Sequence, residues 1–237
     1  MENCGCFHNG RYYSLGDSLV ASDCLQQCTC QNGGSVECTH FNCSDAEYCG
    51  LQEGKQGCFD RRGTCTLSAN GNLVSFDHLS GSVDPDNTFD LVSVCQESES
   101  WFRIVVIAQS CAAGDKFAIS AVHLYFPEFS VALRPDGRAW LNGRAKELPF
   151  TSGVVKVEST DGGVLLTSGE ELEFSMSALG DLSLSVHQKF LGSFCGACGN
   201  FNREKSDDLQ TLRRTSLHSF SEFIISWRAQ DFVKCDS

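Results

Sequence analysis

Cys195-Gly196-Ala197-Cys198-Gly199-Asn200-Phe201-Asn202, running on into Arg203-Glu204-Lys205-Ser206-Asp207-Asp208, is the stretch whose residue types and spacing could do chemistry. Cysteines two residues apart can exchange disulfides as a dithiol, or can staple one short segment to two distant parts of the chain. The Asn and Asp side chains behind them offer hard oxygen ligands at spacings that suit calcium. A redox Cys-x-x-Cys usually draws its low thiol pKa from a helix amino end. Here the pair follows a run from Leu182 to Phe194 that reads as a strand, and it leads into a loop. Structural cystines are therefore expected, and a disulfide oxidoreductase is the alternative. Hydrolysis has no motif: Gly-x-Ser-x-Gly and His-Glu-x-x-His are absent, and the six histidines are isolated. The chain is read as a non-enzyme.

The elements that must position this loop are strands. Leu182, Leu184 and Val186 alternate with Ser183, Ser185 and His187, as in a strand with one wet face. Similar runs are Phe89 to Cys95, Phe102 to Ala108, Phe117 to Phe126, Phe129 to Leu133, Val154 to Val157, Val164 to Thr167 and Leu172 to Met176. Turn signals separate them, among them Arg134-Pro135-Asp136-Gly137, Asn142-Gly143 and Asp161-Gly162-Gly163. Many short strands spaced in this way predict an all-β fold of antiparallel sheets, a sandwich or barrel. One short carboxy-terminal helix joins them, opened by the capping-box pattern of Ser219 and Glu222, with Phe220, Phe223, Ile224 and Trp227 at helical spacing and read as core.

The cysteines are unevenly spread. Of fifteen, nine lie between Cys4 and Cys58, and only six follow over the rest of the 237 residues. The amino-terminal segment has few apolar side chains, so covalent links must offset its chain entropy. It reads as a small disulfide-rich module over residues 4–62, and a zinc site there lacks the second matched Cys pair. Disulfides on this scale place the protein in an oxidising, secreted setting. Met1-Glu2-Asn3-Cys4 has neither a basic start nor an apolar run and is no signal peptide, so the chain reads as a fragment of a secreted protein. No run of 18 apolar residues is present, which excludes a membrane-spanning helix. A net charge of -12 argues against binding nucleic acid, which needs clustered Lys and Arg. Asn42-Cys43-Ser44 is an N-glycosylation sequon.

Read whole, Cys195-Gly-x-Cys198-Gly-Asn-Phe-Asn with Asp207-Asp208 behind it resembles the closing signature of the von Willebrand factor type D domain, a module of mucin-type and matrix-type glycoproteins. The resemblance runs from Cys65 to Cys235 and places a type D domain over residues 63–237, so that the predicted fold is an antiparallel β-sandwich. The family opens with Cys, then Gly-Asp-Pro-His, then Thr-Phe-Asp-Gly; here Cys65 is followed by Asn70-Gly71-Asn72-Leu73 and Ser75-Phe76-Asp77-His78. Trp101-Phe102-Arg103-Ile104-Val105, Trp140-Leu141-Asn142-Gly143 and Leu148-Pro149 match strands of the family. Residues 4–62 resemble the E-type module that precedes such domains and follows a trypsin-inhibitor-like module. They are also similar to von Willebrand type C modules, which bind growth factors, but Cys43 to Cys49 lacks their adjacent Cys-Cys pair.

The resemblance carries further expectations. It implies Cys65 bonded to Cys198 and Cys95 to Cys195; Asn87 stands where the family has a cysteine partner for Cys235, which leaves Cys111 and Cys235 to pair with each other or to bond another chain. It implies calcium ligands at Asn200, Asn202, near Glu204 and at Asp207 and Asp208, with Asn70 at a position where the family has Asp, a loss of charge that would weaken the site. Autocleavage is not expected, because Asn70-Gly71-Asn72-Leu73 has no Asp-Pro bond. By resemblance the chain is a structural or adhesion module whose partners are other extracellular glycoproteins, matrix or mucus components, or a second copy of itself. Growth-factor capture by the amino-terminal module is the alternative.

Overall fold

Apolar burial differs sharply between the two ends of the chain, and the fold follows that difference. In the computed structural model, which describes residues 5–8, 10–44, 47–52, 55–60, 62–96, 98, 100–111, 116–209 and 219–232, the chain divides into two compact units, residues 1–61 and 62–237. In the first, the only buried apolar residues among those described are Cys6, Cys24, Cys28 and Cys30. Its core is therefore made of sulfur. Strands β1 (Cys6–His8) and β2 (Arg11–Tyr13) form a ribbon, β3 (Ser18–Val20), β4 (Gln26–Cys30) and β5 (Val36–His40) a three-stranded sheet, and β6 (Glu47–Gln52) and β7 (Lys55–Asp60) a hairpin. Bridges Cys6–Cys30, Cys24–Cys49, Cys28–Cys38 and Cys43–Cys58 tie these pieces together. Small sheets of two or three strands have little independent stability, and the disulfides supply what packing does not.

The second unit is an antiparallel sandwich. One sheet orders β8 (Gly63–Leu67), β9 (Asn72–Val74), β10 (Ser80–Ser82), β17 (Phe150–Ser152), β18 (Val155–Thr160), β19 (Gly163–Ser168), β20 (Leu172–Ser177) and β21 (Leu182–Val186) as β10-β9-β8-β21-β20-β19-β18-β17. The other contains β11 (Thr88–Val94), β12 (Arg103–Cys111), β13 (Lys116–Tyr125), β14 (Ser130–Leu133), β15 (Ala139–Leu141), β16 (Arg144–Lys146) and β22 (Phe194–Cys195), in the order β16-β15-β14-β13-β12-β11-β22. Alternation does the sorting: Leu182, Leu184 and Val186 are buried while Ser183 and Ser185 are half-buried, and Leu172, Phe174 and Met176 repeat the pattern. Inward side chains of both sheets, such as Leu67, Leu166, Phe174 and Leu184 from one and Phe89, Ile104, Val122 and Leu133 from the other, make one core.

The run expected as a strand from Leu182 to Phe194 is two strands in two different sheets. β21 stops at Val186, because His187 accepts the N–H of Lys189 at its Nδ1 and caps a 3₁₀ turn over Gln188–Phe190, and Gly192 at φ +70° reverses the chain. The chain then enters the second sheet as β22. Helix α1 (Phe220–Ser226) is where the capping box placed it, with Ser219 Oγ accepting from the N–H of Glu222. Phe223 and Ile224 are buried, and Phe220 packs against the core.

Candidate metal centre on a doubly pinned loop

The loop after β22 is held by three kinds of force. Covalently, Cys195 is bonded to Cys95 and Cys198 to Cys65, so each member of the Cys-x-x-Cys pair reaches a different sheet and neither is bonded to the other. Residues 199–204 follow the pair as a loop, with a 3₁₀ turn only at Lys205–Asp207, so no helix amino end adjoins the cysteines and the low-pKa setting of a redox dithiol is missing. Main-chain bonds add to this: the N–H groups of Ala197 and Cys198 donate to the carbonyls of Asp90 and Leu91 at 2.9 Å, and Phe76 N–H donates to Cys198 O at 3.0 Å. Beneath lies an aromatic stack in which Phe194 meets Phe76, Phe190 and Phe102 at centroid distances of 5.3, 5.2 and 5.6 Å, and Phe76 meets Phe201 at 5.2 Å.

On this platform the polar residues turn toward one another. Phe201 and Arg203 have φ of +55° and +72°, so the backbone kinks twice between Asn200 and Glu204. Asp77 holds the kinks, since its Oδ2 accepts from Asn202 N–H at 3.0 Å and its Oδ1 from Arg203 N–H at 2.8 Å. Asn200 Oδ1 accepts from Asn202 N–H, and Asn202 Oδ1 from Glu204 N–H. Both amide groups donate to Asp207 Oδ2, at 3.2 and 2.8 Å. Ser75 Oγ donates to Asp208 Oδ2 at 2.5 Å. Gly199, at φ +79°, makes room: a Cβ there would lie 2.1 Å from Asp208 Oδ1.

What remains unsatisfied is informative. Asp207 Oδ1 and Asp208 Oδ1 are buried with no hydrogen-bond donor, and among the described residues no Lys, Arg or His pairs with Asp77, Asp207 or Asp208. Burial, reinforced by the neighbouring carboxylates of Asp77 and Asp207, pushes the Asp208 pKa up to about 6 against the opposing hydrogen bonds from Ser75 and Asn200. Three acids gathered without a counter-charge, two of them with idle oxygens, are a donor set that fits a hard divalent cation. The carboxylates are not drawn as close as three atoms within 4.8 Å of one another; among the described residues only the sulfurs of Cys24, Cys43 and Cys58 meet that spacing.

The acid from early in the domain that reaches this loop is Asp77. Asn70 is spent in its own turn, where its Oδ1 accepts from Ser68 Oγ and from Asn72 N–H. Glu204 is exposed; its carbonyl accepts from Asp207 N–H, and its side chain has no part in the cluster. The signal for Asp77 was present in Ser75-Phe76-Asp77-His78, where the family's Asp is retained. Cys111 ends β12, whereas Cys4 and Cys235 lie outside the described residues, as does any bond between Cys111 and Cys235. Asn42 is exposed beside the bridge from Cys43 to Cys58.

An antiparallel sandwich closed by a loop that two disulfides pin to both sheets, with an uncompensated acidic cluster on it, defines the class. Residues 65–215 match the von Willebrand factor type D domain, and the chain belongs to that family. Residues 5–59 match the TILa domain. Along nearly its whole length the chain is similar to three kinds of curated protein. It is 32% identical to the human (Homo sapiens) IgGFc-binding protein over 99% of the chain, 26% identical to human alpha-tectorin over 98%, and 28% identical to mouse (Mus musculus) zonadhesin over 96%. It spans only 4%, 11% and 4% of their respective lengths.

Proposed function

We propose that this chain is a secreted, non-catalytic structural or adhesion module of a mucin- or matrix-type glycoprotein, in which a bound calcium ion stiffens the doubly pinned loop of the type D domain. The observation that carries the calcium reading is the pair of idle, buried oxygens on Asp207 and Asp208 beside Asp77. The ligands would be Asp77, Asn200, Asn202, Asp207 and Asp208, all hard oxygen donors. Support for the secreted setting comes from six disulfides among the described residues. The names of the relatives add an Fc-binding protein, a tectorin and a zonadhesin, so the partners proposed are extracellular glycoproteins, mucus or matrix components, or a second copy of the module. Asn42, exposed within its sequon, is the proposed glycan acceptor.

Calorimetric melting of the whole chain in calcium and in chelator tests the reading. Calcium is expected to raise the Tm of the wild type, with a shift that grows with its concentration. Asp208→Asn, which keeps the shape and removes the charge, is expected to lose most of that shift. Asp77→Ala is expected to lose it and also to cost about 2 kcal/mol in chelator, since Arg203 N–H loses its acceptor and Asn202 N–H keeps only Asn200 Oδ1. Equal Tm in calcium and chelator for the wild type would refute the metal centre.

A further inference from the structure

Cys24–Cys49 and Cys43–Cys58 lie side by side, with the sulfurs of Cys24, Cys43 and Cys58 all within 4.8 Å of one another. Cys49 and Cys58 also stand directly opposite each other on β6 and β7. Facing residues of antiparallel strands have Cα atoms about 4.5–5.5 Å apart, inside the range a disulfide spans. The same unit already uses that geometry, because Cys28 and Cys38 face each other on β4 and β5 and are bonded. The four sulfurs can therefore pair in a second way, Cys24 with Cys43 and Cys49 with Cys58.

The two pairings differ in what they hold. In the observed one, both bridges run from the segment before residue 45 to the β6–β7 hairpin, and they are its only disulfide ties to that segment among the described residues. In the second, Cys24–Cys43 lies within that segment and Cys49–Cys58 closes the hairpin on itself. The hairpin's only covalent tie to the module would then be the polypeptide, beside contacts such as the one from Gln56 Nε2 to Ser22 O.

Of the four cysteines Cys49 is the most open to attack, Cys43 and Cys58 being half-buried. Cys49 is exposed, whereas Cys24 is only 2% exposed. A surface cavity of about 240 Å³, lined by Asp23, Cys24, Cys43, Glu47 and Cys49 among others, leads to the bridge. Gln56 Nε2 lies 3.3 Å from Cys49 Sγ and 3.7 Å from Cys24 Sγ, so its amide N–H is placed to steady a thiolate leaving on Cys24. The carboxylates of Asp23 and Glu47 disfavour an anionic visitor.

We propose that Cys49 is the point of attack of a thiol–disulfide exchange site that accepts cationic or neutral thiols and converts one pairing into the other. A thiolate bonds to Cys49 Sγ and breaks its bond to Cys24, which leaves as thiolate. Cys24 then bonds to Cys43 and releases Cys58 as thiolate. Cys58 finally attacks Cys49 and expels the incoming thiol unchanged, so the thiolate is catalytic and no net oxidation or reduction occurs.

The test is non-reducing peptide mapping of the whole chain after exposure to cysteamine, quenched with acid and N-ethylmaleimide, with glutathione at matched thiolate concentration as the second probe. The expected course is a first adduct on Cys49, followed by Cys24–Cys43 and Cys49–Cys58, with Cys6–Cys30 and Cys28–Cys38 retained and cysteamine faster than glutathione. Gln56→Leu is expected to slow conversion roughly three- to tenfold while leaving the final ratio of pairings unchanged. Replacing Cys43 and Cys58 together by Ser removes the second bridge, and the cysteamine adduct should then accumulate on Cys49. Persistence of Cys24–Cys49 and Cys43–Cys58 in the wild type, or a first adduct within these four cysteines on any sulfur but Cys49, overturns the proposal.

Discussion

His78 sits at φ +65°, in the left-handed region, directly after the Asp77 that holds the acidic loop. The family has glycine there, and a side chain with a Cβ pays strain at such a φ. His78→Gly is expected to raise stability in chelator by about 1 kcal/mol at most, the relief of strain being partly offset by the greater freedom of glycine in the unfolded chain, and urea melts would measure it. Asp208 titrates differently. Folding raises its pKa from 3.8 to about 6, so the folded state holds that proton more tightly than the unfolded chain does. Without metal, this contribution to stability is present below about pH 4 and is lost as pH rises through about 6. Calcium needs the carboxylate bare, so the sign reverses when it binds: the calcium-dependent rise in Tm should shrink as pH falls through about 6, by up to a tenfold loss of affinity per pH unit. A rise of the same size at pH near 5 and near 7 would remove Asp208 from the ligand set.

Among the elements, α1 depends on one small residue of β10. A Cβ on Gly81 would lie 2.3 Å from the ring of Phe220, so the helix packs where only glycine leaves space. Gly81→Val is expected to push α1 off the sheet at a cost of about 2–4 kcal/mol, and faster amide exchange across 220–226 would report it. The segment after the helix is tied to the sheet by polar groups. Asn87 stands where the family has a cysteine; its Oδ1 accepts from Arg228 at 3.0 Å and its Nδ2 donates to Asp84 O. Further on, Arg103 donates through both terminal nitrogens to Asp231, at 2.7 and 2.8 Å, and through Nε to Asp90 at 2.5 Å. These contacts hold in place a stretch that the missing cysteine does not.

For the whole molecule, Cys65–Cys198 and Cys95–Cys195 matter most, because they span sequence separations of 133 and 100 residues. Removing either pair by Cys→Ala at both ends should cost roughly 4–5 kcal/mol on the chain-entropy account, and loss of Cys65–Cys198 should also abolish any calcium-dependent shift, since the loop is no longer anchored. Denaturant melts of the two double variants, with and without calcium, would check both expectations. The sequence by itself determined the fold class, since alternation of period two in β8 to β21 leaves antiparallel sheets with one apolar face as the only way to bury Leu182, Leu184 and their counterparts. It also determined the start of α1, because capping is a local exchange between Ser219 and Glu222. Cysteine density likewise marked the amino-terminal module without revealing which of its sulfurs pair. Only the tertiary structure decided that the run before Cys195 breaks between two sheets, that Asp77 and not Asn70 reaches the loop, and that Cys24, Cys43, Cys49 and Cys58 lie together. The reason is physical: local pattern is written in neighbours one to four residues apart, whereas Asp77 and Asn202 meet across 125 residues of intervening chain, through strands whose order in the sheets no local spacing encodes.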